Sequence, residues 1–534
     1  MIPIEQQEHY FKEMLKSRAV LLLILCAFAS CAMNENGINE TVEVTGGTIE
    51  GYFDEETSLY VYKGIPFAAP PTEELRWKAP QAVIPWEGKK ETKEFGPSPM
   101  QQKPQPFMFW SSEFLIPEEP ISEDCLFLNV WTGAKDITEK RPVMVYIYGG
   151  GFQSGGAGCP IYDGSGMAEK GVVFVSINYR VGPFGFLAHP DLTDESDYGA
   201  SGNYALLDMI AALKWVQENI DSFGGDPDNV TIAGQSAGAF SVNFLTASPL
   251  ASGLFHRAIA QSGASFHSGP LRGSLNLEMA EEIGSSFAES LGAESIEEMR
   301  ELSAEDILNA PGARLTPFVD GYVLEESIMD TYQNLNQSDV PMLIGWNKDD
   351  ILGGASLDEN AFHEMVSNRF GDLSEDFYSA YPTSNEEEVR NTQLEMSRDE
   401  AFAIQVYTWG KIQSNLGKSP IYMYNFNRGL PAYNEETAFG AFHSGEIVYA
   451  YDNLHTLDRP WEAVDHEIAE MMSDYWVNFA ATGNPNGENL PEWKPFEEDE
   501  QSVLVFSEET RSVELPIKAK LNFWEKFYQA SNED

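Results

Sequence analysis

The sequence predicts an α/β fold with a large, mostly parallel sheet covered by helices on both faces. Three observations carry this expectation: short apolar runs rich in β-branched residues, helical segments alternating with them, and Gly-rich turns directly after two of the runs.

The N-terminus comes first. Lys12, Lys16 and Arg18 precede an apolar run from Ala19 to Ala29, a signal-peptide pattern shorter than the roughly 20 residues that span a bilayer. Residues 1–30 are therefore predicted to be a signal peptide, and Met14 would start a compact leader by itself. Phe28-Ala29-Ser30-Cys31 resembles a bacterial lipobox; that likeness implies lipid on Cys31 and anchoring to a membrane, with plain cleavage as the alternative. The expectation is an exported protein, either a periplasmic or outer-membrane lipoprotein or a secreted one. Residues 31–40 read as a polar tether, and 41–534 as one domain, because no Pro/Gly/Ser-rich linker divides them.

Within that domain Val143–Ile147 and Val172–Ile177 read as buried strands. Leu206, Ile210, Leu213, Val216 and Ile220 recur at helical spacing before the breakers of Asp221–Asp228. The strand Val230–Ala233 follows, then a turn, then the helix-compatible stretch Ala239–Phe244, and later the strand Pro341–Gly345. Leu275–Ala310 and Leu357–Ser414 are acidic and helix-like, and read as insertions; a helix near His466–Ala480 stops at Gly483-Asn484-Pro485.

With 33 basic against 84 acidic residues the net charge is −51, which repels phosphate backbones and anionic lipid, so nucleic-acid binding is excluded. Hydrophobic residues make up 43%, enough for a large core and too many for a disordered chain. Of the 4 cysteines, only Cys125 and Cys159 lie in the domain, and no spacing fits a metal site. Nothing in the sequence sets the oligomeric state.

Two turns carry chemistry. Gly234-Gln235-Ser236-Ala237-Gly238 sits between a strand and a helix, the context in which a Gly-x-Ser-x-Gly turn presents a nucleophilic hydroxyl beside a helix N-terminus. Tyr148-Gly149-Gly150-Gly151-Phe152 follows an upstream strand; its uncovered N–H groups suit a developing oxyanion, and it lacks the Gly-Lys-Ser/Thr ending of a phosphate loop. A serine nucleophile needs a base and an acid, which in α/β-hydrolases follow it in the order acid, then His. Of the 8 histidines, His443 lies in a small-residue loop, with His455 as the alternative. Asp349 and Asp350, just past a strand, are both placed to be the acid.

Together these residues resemble the type-B carboxylesterase family of cholinesterases, bile-salt-activated lipases and bacterial nitrobenzyl esterases. The likeness runs from about Thr41 to Tyr528 through Tyr62–Ala68, Ser122–Val130, Asn178–Gly182, Phe223–Pro227 and Gln261-Ser262-Gly263. It implies the α/β-hydrolase fold, a triad of Ser236, Asp350 and His443, and oxyanion donors at the backbone N–H of Gly150, Gly151 and Ala237. This chain departs from the family at three points. Asp350-Ile351 stands where the family has Glu-Gly, Gln235 replaces the usual Glu, and the usual cysteine partner of Cys125 is missing.

The expected activity is hydrolysis of a small-molecule carboxylic ester through an acyl-enzyme, with no metal or organic cofactor. Loss of charge at Gln235 argues against a cationic substrate, and Phe266 and Trp110 are candidates for an apolar pocket, with core packing as the other reading. The alternatives are a catalytically silent neuroligin-like binding protein, and an amidase or thioesterase using the same triad.

Overall fold

A computed structural model describes residues 36–269, 275–312, 316–434 and 437–531. The predicted signal peptide 1–30 and Cys31 lie outside the described residues. Packing begins within the expected tether: Gly37 bridges Asp136, and the Ile38 N–H donates to Lys135 O at 3.1 Å.

An 11-stranded sheet organises the chain. Its strands are β1 (Tyr52–Asp54), β2 (Leu59–Pro66), β3 (Phe127–Thr132), β4 (Arg141–Ile147), β5 (Val173–Ile177), β6 (Gly225–Gln235), β7 (Arg257–Gln261), β8 (Met342–Asn347), β9 (Ile421–Phe426), β10 (Ser502–Phe506) and β11 (Arg511–Glu514). Across the sheet the order is β11-β10-β9-β8-β7-β6-β4-β5-β3-β2-β1. From β10 to β5 all neighbours are parallel, and antiparallel strands close both edges. Every residue of Val143–Ile147 and Val173–Ile177 is buried, as expected of parallel strands covered on two faces.

Helix α1 (Tyr204–Asn219) links β5 to β6, and α2 (Ala237–Ala247) links β6 to β7. The chain leaves β4 for β5 on one side and returns to β6 on the other, so the connections diverge at the C-terminal ends of β4 and β6. Such a divergence opens a crevice where ligands bind in open α/β sheets. The register aligns the strand ends there: Gly234 pairs with Ile147, Gln235 with Gln261, and Gln261 with Gly345. The triple-glycine loop, Ser236, Ser262 and the Asp349-Asp350 turn thus emerge from adjacent strands at one edge.

The two acidic stretches are helical. The second contains α3 (Glu386–Arg398) and α4 (Ile404–Leu416), joined by a π-helical turn at Asp399–Ala403. The late helix α5 (Ala463–Thr482) starts at a reciprocal Glu462/Asp465 capping box and ends with Gly483 at φ 78°, a left-handed cap that glycine adopts without strain. Among the described residues no helix is long and apolar enough to cross a membrane. Cys125 and Cys159 are buried free thiols.

Candidate active site

Ser236 sits between β6 and α2 with φ 55° and ψ −124°, a strained conformation for a residue with a Cβ. The flanking glycines make the turn possible by close approach. A Cβ on Gly234 would lie 2.5 Å from the Gly238 backbone, and one on Gly238 would lie 2.0 Å from Ile147 O. The Ser236 N–H donates to Gln261 O at 2.9 Å, so the elbow is tied to β7 while its side chain stays half-exposed.

The glycine loop after β4 lies against this elbow. A Cβ on Gly149 would meet Gln235 O at 2.8 Å and Ser236 Cβ at 3.0 Å. Gly150 and Gly151 have φ of 122° and 61° and are exposed. Behind them the rings of Tyr148 and Tyr179 stack at 4.1 Å, each hydroxyl donating to the other residue's carbonyl at 2.7 and 2.8 Å. This reciprocal pair fixes the ends of β4 and β5 relative to each other. Ala237 opens α2, where first-turn N–H groups have no partner within the helix and favour negative charge.

His443 and Asp350 meet in the interior. Asp350 Oδ1 lies 2.7 Å from His443 Nδ1, and both residues are buried. Asp350 Oδ2 accepts from the Ser262 hydroxyl and the Asn347 N–H, each at 2.7 Å. Asp349 does something different: its N–H donates to Ala441 O at 3.1 Å, and its Oδ2 accepts from the Ala441 N–H at 2.8 Å. It therefore clamps the loop that carries His443. Gly440, at φ 69°, is required there because a Cβ would reach 2.2 Å from Asp349 Oδ2. The shorter aspartate thus reaches the imidazole without help from its neighbour.

Phe402, aimed by the π-helical turn, stacks on the His443 ring at 4.7 Å and 22°; such turns recur at functional sites. Gln235 is buried beside the same ring, with Nε2 3.3 Å from His443 Nε2 and 3.5 Å from Nδ1. Among the described residues no hydrogen bond joins Ser236 Oγ to the imidazole, whose partners are Asp350 and Gln235. Catalytic contacts of this kind commonly tighten only when substrate is bound. Trp110 approaches His443 edge-on at 6.1 Å. Phe266 is buried against Tyr332 at 5.2 Å and Trp409 at 6.0 Å. His455 lies in a separate short helical turn, Leu454–Thr456.

Sequence reasoning assigned no role to Ser262, Asn347, Phe402, Ser444 or Glu446. Ser262 and Asn347 were findable in principle, since each stands at the C-terminal end of a strand next to β6 or β7. Glu446 is buried, with Oε2 accepting from Asn347 Nδ2 at 2.5 Å and Oε1 from Gln261 Nε2 at 3.4 Å. Burial, then the charge of Asp350, pushes its pKa up to about 8, so near neutral pH the buried acid is largely protonated.

Comparison with known proteins agrees with this geometry. The model of the carboxylesterase family matches residues 38–524. The chain is 33% identical over 492 residues to fumonisin B1 esterase of Sphingopyxis macrogoltabida, covering 88% of this chain and 86% of that protein. It is 34% identical over 507 residues to para-nitrobenzyl esterase of Bacillus subtilis (strain 168), covering 88% and 95%. Among solved structures, a PNB esterase superposes with a TM-score of 0.77 at 30% identity, covering 91% of this chain and 99% of that one. A Geobacillus stearothermophilus carboxylesterase gives 0.77 at 32%, covering 91% and 100%. A strained serine elbow beside a glycine loop, an Asp–His pair at the same sheet edge and these relatives lead to one conclusion: the chain belongs to the carboxylesterase family, a carboxylic-ester hydrolase of the α/β-hydrolase fold.

Proposed function

We propose that Ser236 is the nucleophile, His443 the base and Asp350 the acid of this hydrolase. The observation that carries the assignment is the 2.7 Å Asp350–His443 contact at the sheet edge where Ser236 emerges. Ser236 Oγ attacks the ester carbonyl while His443 Nε2 takes its proton. Asp350, hydrogen-bonded to Nδ1, fixes the tautomer and stabilises the imidazolium. The N–H groups of Gly150, Gly151 and Ala237 hold the oxyanion, each worth a few kcal/mol of barrier. His443 then protonates the leaving alcohol, and water repeats the sequence on the acyl-enzyme.

The substrate is a small-molecule ester without positive charge, because the uncharged Gln235 offers no counter-ion beside the nucleophile. Trp110, next to His443, forms part of the apolar wall, and Phe266, packed on Tyr332 and Trp409, contributes another part. The basic-then-apolar leader at Lys12–Ala29 supports export, with lipid at Cys31 as the anchor. The test is labelling with a fluorophosphonate, which reacts only with an activated serine. Peptide mass spectrometry is expected to place the adduct on Ser236 and to find none in Ser236→Ala or His443→Ala. An adduct elsewhere overturns the assignment.

A further inference from the structure

Three side chains outside the triad form a chain of hydrogen bonds that ends at the base. Trp110 Nε1 lies 3.3 Å from Ser444 Oγ, Ser444 Oγ lies 3.2 Å from Gln235 Oε1, and Gln235 Nε2 lies beside the His443 ring. The direction of this chain is fixed by chemistry. An indole N–H can only donate, so the Ser444 oxygen accepts from it and the serine hydrogen is left to donate to Gln235 Oε1. With its oxygen engaged, the Gln235 carboxamide must turn its amino group toward His443.

The amino group is nearly equidistant from the two ring nitrogens, at 3.3 and 3.5 Å. A donor in the ring plane on the Nε2 lone pair would be much farther from Nδ1. The amino group is therefore off that axis, which leaves the Nε2 lone pair open to the Ser236 hydroxyl. Its hydrogens carry positive partial charge against the ring, and positive charge there favours neutral imidazole over imidazolium.

We propose that Trp110, Ser444 and Gln235 form a one-way relay that holds the amino end of the Gln235 carboxamide against His443 and so disfavours the imidazolium relative to an enzyme in which that orientation is lost. These are positioning residues; they act through His443, and the inference rests on the triad assignment above. Ser444 and Trp110 set the orientation, and Gln235 delivers the partial charge. Where the orientation is lost, Oε1 can face the ring instead and accept a hydrogen bond from the imidazolium N–H, which stabilises the charged form.

The other charged groups around His443 are accounted for. Asp350 favours the imidazolium through its 2.7 Å contact and is unchanged in the variants below. Glu446, three residues along the same loop, is protonated across the acidic range. Asp349, on the turn carrying the acid, is engaged with the Ala441 N–H, and its neighbour Lys348 is exposed. On the turn that carries Phe402, Asp399 pairs with Arg398 and Glu400 with Arg369. Strand β6 carries its own acids, Asp226 and Asp228, at the end opposite Gln235. The residues of the Phe107–Trp110 turn are uncharged, and Glu113 beyond it lies near Arg459.

The experiment is the pH dependence of kcat/KM for a nitrophenyl ester, whose acidic limb reports protonation of the base in the free enzyme. Ser444→Ala and Trp110→Phe, which remove one hydrogen-bonding group each, are expected to move the acidic limb to higher pH by about 0.3 to 1 unit. Gln235→Glu, which sets a carboxylate against the ring, is expected to move it by about 1 to 3 units. For any variant that turns over too slowly, the pH dependence of fluorophosphonate labelling at Ser236 reads the same protonation. Limbs of Ser444→Ala and Trp110→Phe that superimpose on wild type overturn the relay, even where Gln235→Glu shifts. Wild-type turnover that survives in Ser236→Ala would instead overturn the triad assignment, so the two failures are distinguishable.

Discussion

Asp349 and Asp350 are adjacent and chemically identical, yet their surroundings give them different work. Asp350 accepts from His443, Ser262 and Asn347, whereas Asp349 accepts from the Ala441 backbone. An asparagine at 349 still offers a carbonyl oxygen to that N–H. One at 350 must present an amide group to a donor, or force the wrong imidazole tautomer. Asp350→Asn is therefore expected to lower kcat by about 10³- to 10⁴-fold and Asp349→Asn by about tenfold or less. Steady-state kinetics on the two purified variants decide this, and the reverse order would move the acid by one position. Glu446 gives a residue-scale prediction in pH. Its folded pKa of about 8 lies above the ordinary 4.5, so its stabilising contribution is complete below that lower value and is lost as pH rises toward the upper one. Glu446→Gln is neutral at every pH and removes that loss. Thermal melts at about pH 5 and about pH 9 are expected to favour the variant increasingly at the higher pH; a pH-independent difference would contradict the assignment.

At the scale of the element, the elbow and the glycine loop use glycine for different reasons. Gly238 is required by space, since any Cβ there runs into the Ile147 carbonyl, whereas Gly151 has open space around it and is required by its φ of 61°. The first demand involves two backbone segments that cannot move without separating α2 from β4. The second costs about 1 to 2 kcal/mol of local strain. Gly238→Ala is expected to lose its cooperative melt or more than about 4 kcal/mol of stability. Gly151→Ala is expected to fold with a loss near the strain figure. Equal melting temperatures for the two variants would show that the close approach at the elbow is not what fixes the turn.

The whole molecule shows which features a sequence displays and which it hides. The parallel strands β4, β5, β6 and β8 were legible because burial on both faces leaves apolar runs, as at Val143–Ile147 and Val173–Ile177. The observed β6 is longer than the expected Val230–Ala233, because Gly225–Asn229 joins the sheet through an irregularity with β4. The edge strands β1 and β11 escaped notice, since short half-buried segments lack that signature, and β7, β9 and β10 did so because polar residues such as Arg257, Gln261, Asn425 and Ser502 interrupt or cut short their apolar runs. Ser236 and the glycine loop were legible as local motifs with a mechanical reason for each glycine. His443 and Asp350 were narrowed by chain order and then chosen by family likeness, because their pairing joins β8 to a loop 93 residues later and long-range contacts leave no local trace. The Trp110–Ser444–Gln235 chain is of the same kind, its first two members standing 334 positions apart.

The central claim concerns the whole folded enzyme: ester hydrolysis runs through Ser236. Its most direct test is hydrolysis of short nitrophenyl esters by the purified full chain beside Ser236→Ala, with circular dichroism showing that the variant folds. The account predicts a fall in kcat of about 10⁴-fold or more. Turnover in Ser236→Ala equal to that of the wild type would contradict it.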